Sequence, residues 1–178
     1  MIKRILYSLS AICLTTSAMA HISLENKNAS VGASYKAVFR VPHGCEGQAT
    51  HTIRIQIPEG VIAVKPMPKA GWSLEKIQTR YQHSYDYHGS QLNEGIGEVI
   101  WSNGNLADDE YDEFTIRVHF SNDFDDGALV YFPVIQECTN ATTSAWTEIP
   151  AAGQDGHDLS HPAPLVILNK EQGHHHHH

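Results

Sequence analysis

The sequence predicts an all-β chain, an immunoglobulin-like antiparallel β-sandwich, and three observations carry that prediction. Apolar and polar residues alternate through most of the body, turn-forming residues interrupt the alternation at short intervals, and no amphipathic helical pattern of useful length competes.

Taken in order, "YKAVFRV" sets Tyr35, Ala37, Phe39 and Val41 on one face of a strand, and "HTIRIQI" aligns His51, Ile53, Ile55 and Ile57 against Thr52, Arg54 and Gln56. "GEVIW" is an apolar run. "EFTIRVHF" repeats the alternation with Phe114, Ile116, Val118 and Phe120 inward, and "ALVYFPVI" and "PLVILN" are β-branched or aromatic runs bounded by turn residues. Pro58-Glu59-Gly60, "KPMPKAG" and Ser102-Asn103-Gly104 supply the punctuation. Seven to nine short strands with no repeat and no internal linker fit one sandwich domain. Trp72 and Trp101 are expected in its core, and His51 is expected to be a satisfied edge residue.

The two ends read differently from the body. Lys3 and Arg4, the apolar run Ile5 to Leu14 and the small-x-small triplet Ala18-Met19-Ala20 form a secretory signal, with cleavage expected after Ala20. Its apolar run is shorter than the roughly 20 residues that span a bilayer, so no transmembrane anchor is expected. Gly173 and His174 to His178 have the form of an expression tag. The resulting division is a signal peptide over 1–20, a domain over 21–168 and a tail with tag over 169–178. Without Lys3 and Arg4, ten basic residues face twenty acidic ones, a net charge of −10 with histidines neutral. Nucleic acid is a poor partner for such a surface. The acidic runs at Asp108-Asp109-Glu110 with Asp112-Glu113 and at Asp123, Asp125 and Asp126 read as solvated turns; "NDFDDG" lacks the full ligand loop of an EF-hand. "NATT" at Asn140 matches a glycosylation sequon.

Cys13 leaves with the signal, so Cys45 and Cys138 remain. In an oxidising compartment an isolated pair most simply forms one disulfide, which for a loop of roughly 90 residues stabilises by about 4 kcal/mol in the chain-entropy model. A thiolate copper or redox site is the functional alternative, without a CxxC motif to support it.

Cleavage after Ala20 would make His21 the first residue. Its α-amine and ring Nδ1 would then close a six-membered chelate around a metal, and copper(II), which favours tetragonal nitrogen and oxygen donors, is the natural occupant. Because an α-amine has an ordinary pKa of about 7.7 to 8.0, copper must displace its proton. A second feature, "RVPHGCEG", packs His43, Cys45 and Glu46 into four positions at a strand end. Taken singly, His43 or Glu46 reads as a surface-loop residue before a ligand. Only Met67 survives processing, so no methionine-rich copper(I) site is present.

The start "HISLE", then "FRVPHGCEG", "IRIQIPEGV", "PKAGW", "DEF", "YFPVIQEC", "WTEIP" and "HPAPLVIL" together resemble the YcnI-like domain family of bacterial exported copper proteins. The resemblance covers nearly all of residues 21 to 168. It implies an immunoglobulin-like sandwich that binds one copper(II) through a monohistidine brace, with an N-terminal histidine, a glutamate from the early loop and a tryptophan close to the metal. Carried onto this chain, the histidine is His21, the glutamate Glu46 with Glu25 as the fallback, and the tryptophan Trp146, for which core packing is the alternative. His43 departs from the simplest brace: it either adds an imidazole to the copper or orients the loop. A Cys45–Cys138 bridge would pin that loop near the N-terminus. His83, His88, His157 and His161 are expected in polar loops without a specific task.

The expected function is therefore a periplasmic copper(II)-binding protein, not an enzyme, that sequesters copper or exchanges it with another periplasmic copper protein or a membrane copper transporter. The alternatives are a copper-dependent oxidative enzyme with a two-histidine brace, kept open by His43, and a metal-free adhesion or assembly sandwich. No GxSxG setting supports hydrolysis.

Overall fold

The alternating segments form strands in a computed structural model that describes residues 21–170; the expected signal peptide and the terminal histidine run lie outside the described residues. In chain order the strands are β1 (Ser23–Leu24), β2 (Asn28–Ser30), β3 (Ser34–Val41), β4 (Thr50–Gln56), β5 (Val61–Pro66), β6 (Ser73–Tyr87), β7 (Ser90–Ser102), β8 (Asp112–Phe120), β9 (Leu129–Tyr131), β10 (Val134–Cys138), β11 (Thr143–Trp146) and β12 (Leu165–Asn169). They assemble into a four-stranded sheet, β1-β3-β8-β5, a five-stranded sheet, β11-β10-β4-β7-β6, and a three-stranded sheet, β2-β12-β9.

The inward faces are those the alternation predicts. Ala37, Phe39, Val41, Phe114, Ile116, Val118 and Phe120 from the first sheet meet Ile53, Ile55, Val99, Trp101, Val134 and Trp146 from the second, and Val130, Val166 and Leu168 from the third join the same core. Trp101 is fully buried, whereas Trp72 is half-buried and packs edge-on against Phe114. His51 is satisfied, its Nδ1 2.8 Å from the Thr52 hydroxyl, but it lies on β4 in the middle of the five-stranded sheet and not at an edge.

Two features depart from the simplest sandwich. β2 runs parallel to β12, while every other named pair is antiparallel. The parallel pair lays the last strand along the first segment, with Ile167 N donating to Lys27 O at 2.7 Å. The other is a long arm: β6 and β7 have 15 and 13 residues, and His83 lies within β6, not in a loop. Alternation misses this arm because much of it is exposed on both faces, so no apolar period marks it. Its two-residue turn, His88-Gly89, takes positive φ at both positions (51° and 79°), the conformation that twists with a hairpin.

The far end of the arm folds onto the outer face of the first sheet. Tyr81 and Tyr85 bury Ile62 there, and the Tyr85 hydroxyl donates to Glu59 at 2.7 Å. At the tip, Tyr87 packs on His88 and on His119 of β8, with ring centroids 4.3 and 5.1 Å apart. Burial lowers the His119 pKa below its ordinary 6.5, and the neighbouring His88 and Arg117 push the same way. The unfolded chain therefore takes up a proton at a pH where the folded chain resists it. That contribution is complete above pH 6.5 and is lost as pH falls below it. Melting temperature should consequently drop between about pH 7.5 and about pH 5.5, and drop less in His119→Gln. Scanning calorimetry showing the same pH slope in both proteins would contradict the assignment.

Candidate metal centre at the N-terminus

Burial of two alternate side chains fixes the start of the domain. Ile22 and Leu24 are 2% and 3% exposed, which turns His21, Ser23 and Glu25 outward. Ser23 registers with Arg40 and Leu24 with Phe39 on β3. The Glu25 carboxylate faces Arg40 at 3.0 Å, so the fallback ligand already holds a cation.

Trp146 ends β11 and is 3% exposed, a core residue that also borders His21. The His21 ring lies 5.5 Å from its ring, and the His161 ring lies 5.1 Å away. His161 is held by Glu148: its main-chain N–H donates to the Glu148 carboxylate at 2.6 Å, and Glu148 N donates to His161 O at 3.0 Å. Two imidazoles thus gather at one indole.

The loop after β3 joins this neighbourhood through one buried amide. Gln136, on the inward face of β10 and 1% exposed, accepts from Trp146 Nε1 at 3.2 Å and donates through Nε2 to His43 O at 2.8 Å and Thr50 Oγ1 at 2.7 Å. Cys45 and Cys138 form the expected disulfide, which staples the same loop to the end of β10. The His43 ring turns back on its own loop, Nδ1 donating to Gly44 O at 2.6 Å.

Glu46 occupies the apex of a tight turn. Cys45 and Gln48 exchange main-chain hydrogen bonds of 2.9 and 2.8 Å, and Glu46 and Gly47 have φ of 49° and 81°. Gly47 N donates to Asp108 at 3.2 Å, so one of the acidic turns braces this loop. The Glu46 carboxylate is exposed and makes no hydrogen bond or ion pair among the described residues. Of the expected ligands, then, His21 meets Trp146 and His43 is tied to Trp146 through Gln136. Glu46 stands at the solvent end of the same loop. No three His, Cys, Asp or Glu side chains converge among the described residues. A brace needs fewer, because one of its donors is a main-chain amine, and that nitrogen is an amide while Ala20 precedes it.

Beside His21 opens a cleft of about 370 Å³. Pro150, Pro162 and Pro164 give it rigid apolar walls, and Lys27, Asp155 and His157 supply polar groups. Gln136 and His161 were not foreseen as functional. A signal for the first existed: Gln136 is the one polar residue on the inward period of "VIQEC". His161 had none, because loop histidines carry no periodicity.

A family model described as a domain of unknown function (DUF1775) matches residues 21–168. The crystal structure of an uncharacterized protein from Nocardia farcinica, described as having an immunoglobulin-like fold, is similar at 22% identity and a TM-score of 0.63, over 84% of this chain and 99% of that one. A cohesin module of a family 33 glycoside hydrolase from Clostridium perfringens matches at 8% identity and a TM-score of 0.48, over 85% and 97%. No curated protein matches. The Nocardia likeness establishes the immunoglobulin-like fold.

Replacing Gln136 by leucine would remove the acceptor of the buried Trp146 N–H and the donor to the His43 carbonyl and the Thr50 hydroxyl. A loss of about 1–3 kcal/mol or more is expected in urea denaturation. An unchanged midpoint would show that the amide does not hold the loop.

Proposed function

The chain belongs to the DUF1775 family, and we propose that it binds one copper(II) ion at a mature N-terminal His21 as a periplasmic, YcnI-like protein that sequesters copper or passes it on. One observation carries the reading: the exposed His21 ring lies against Trp146 at the mouth of a cleft, 5.5 Å between centroids. A cation held by that imidazole would sit beside an indole, which attracts positive charge through its ring face. Processing after Ala20 would add the α-amine as the second donor. Glu46 is the carboxylate to complete the shell, since its side chain has no other engagement among the described residues while Glu25 is paired with Arg40. Movement of the Cys45–Gln48 turn would bring it in, with the disulfide and Gln136 setting the base of that turn.

A second reading has its own observation. His161, not His43, has its ring packed on Trp146, at 5.1 Å. If that imidazole also binds copper, the set is a two-histidine brace and oxidative chemistry becomes accessible.

The test is calorimetric titration and paramagnetic resonance with copper(II) on tag-free protein beginning at His21. Stoichiometric binding is expected, with loss of the high-affinity site in His21→Ala and comparable loss when one extra residue precedes His21. Metal-free stability should be nearly unchanged in both. Retained affinity in either variant would overturn the proposal. Resonance signals from one imidazole support the single-histidine site; a second imidazole that vanishes in His161→Ala, together with sustained peroxide production under a reductant, supports the enzyme.

A further inference from the structure

We infer that the outer face of the β1-β3-β8-β5 sheet carries a binding site for a compact polyanion, a small molecule with two or more carboxylate or phosphate groups, held by Lys36, Arg117 and Lys65. The three side chains form a row across adjacent strands: Arg117 of β8 registers with Lys36 of β3 on one side and Lys65 of β5 on the other. Neighbouring strands lie about 4.8 Å apart, so three like charges stand directly opposite one another, an arrangement that opposes pairing.

One further cation of the same face is matched: Arg40 pairs with Glu25 and Glu113. Among the described residues, the central row has no ion pair; Arg117 donates only to the Ser34 hydroxyl, at 2.9 Å. A chain with twenty acidic residues has put none of them in salt-bridge contact with this row. Protection of a sheet edge accounts for Lys65, on the edge strand, but not for Arg117, which has a paired strand on both sides.

The backbone is bent to build the row. Ile62 registers with His119 and faces outward, so regular alternation would send Lys65 toward the core. A bulge between Ile62 and Lys65 resets the period, with Ala63 held at φ 50°, and brings Lys65 opposite Arg117. Bulges that re-aim one side chain are a recurrent device beside binding sites. The row borders a groove of about 510 Å³ that also takes in Tyr35, Thr115 and Met67, the last 58% exposed. That volume suits a small ligand with an apolar stem and charged ends, and exceeds what a single oxyanion fills. An anionic membrane is disfavoured, because a net acidic protein would present one cationic row on a concave surface.

Metal-free, tag-free protein should bind citrate or pyrophosphate saturably, one per chain, in low-salt calorimetry. Arg117→Gln should weaken binding about tenfold or more, Lys36→Gln and Lys65→Gln should each weaken it, and Lys76→Gln, outside the groove, should not. His21→Ala should bind as the parent does, which separates this site from the copper proposal. Thermal melting identifies any variant that fails to fold, and the other two cation variants then carry the test. Absence of saturable binding by both probes, or affinity equal to the parent's in all three cation variants, would overturn the inference. So would binding confined to polyglutamate or to phosphatidylglycerol vesicles, which would reassign the row to a protein or membrane surface.

Discussion

The candidate site depends on the side-chain amide of Gln136. One buried group takes a hydrogen bond from the Trp146 indole and gives one each to the His43 carbonyl and the Thr50 hydroxyl. That fixes the amide's orientation, since the reverse assignment would set its NH2 against the indole donor. It also joins three separate parts of the chain: the strand that carries the tryptophan, the loop that carries Glu46, and β4. The disulfide lies beside it and acts on the same loop by covalent constraint. The two restraints are complementary, because a disulfide limits how far the loop travels and a hydrogen-bonded amide selects its register.

Charge is arranged with similar economy. Where the first sheet meets the N-terminal strand, cations and carboxylates are matched, and Glu25 belongs to that matched set. Toward the arm, the matching stops, and positive side chains share the surface with the half-buried His119 and the exposed His88. The arm covers part of this region and buries Ile62, so the outer face is part core and part open groove.

The period-two patterns made the core strands legible, and Phe39, Ile53, Phe114 and Val118 lie where alternation puts them. The arm was illegible for a physical reason: a ribbon exposed on both sides has no apolar period. At the site, His21 and Trp146 were readable from processing chemistry and resemblance, and they do meet. Their neighbour His161 was not, because its approach depends on the Glu148 pairing across a loop of a dozen residues. Lys65 shows the same limit from the opposite direction: a bulge that shifts the period by one residue is invisible to alternation.

The depth of Ile22 bears on the order of events in the life of the chain. A peptidase must hold several residues extended on both sides of the bond it cuts. Two residues past the proposed cut, at Ile22, the chain is packed into the core, and at the third, Ser23, it enters a sheet. Burial so close to the proposed cut would oppose processing of the folded chain, so the proposed cut fits a chain not yet folded. A site that needs the new amine would form only after that cut, and the timing of processing, more than affinity, would decide when the proposed site first meets the ion.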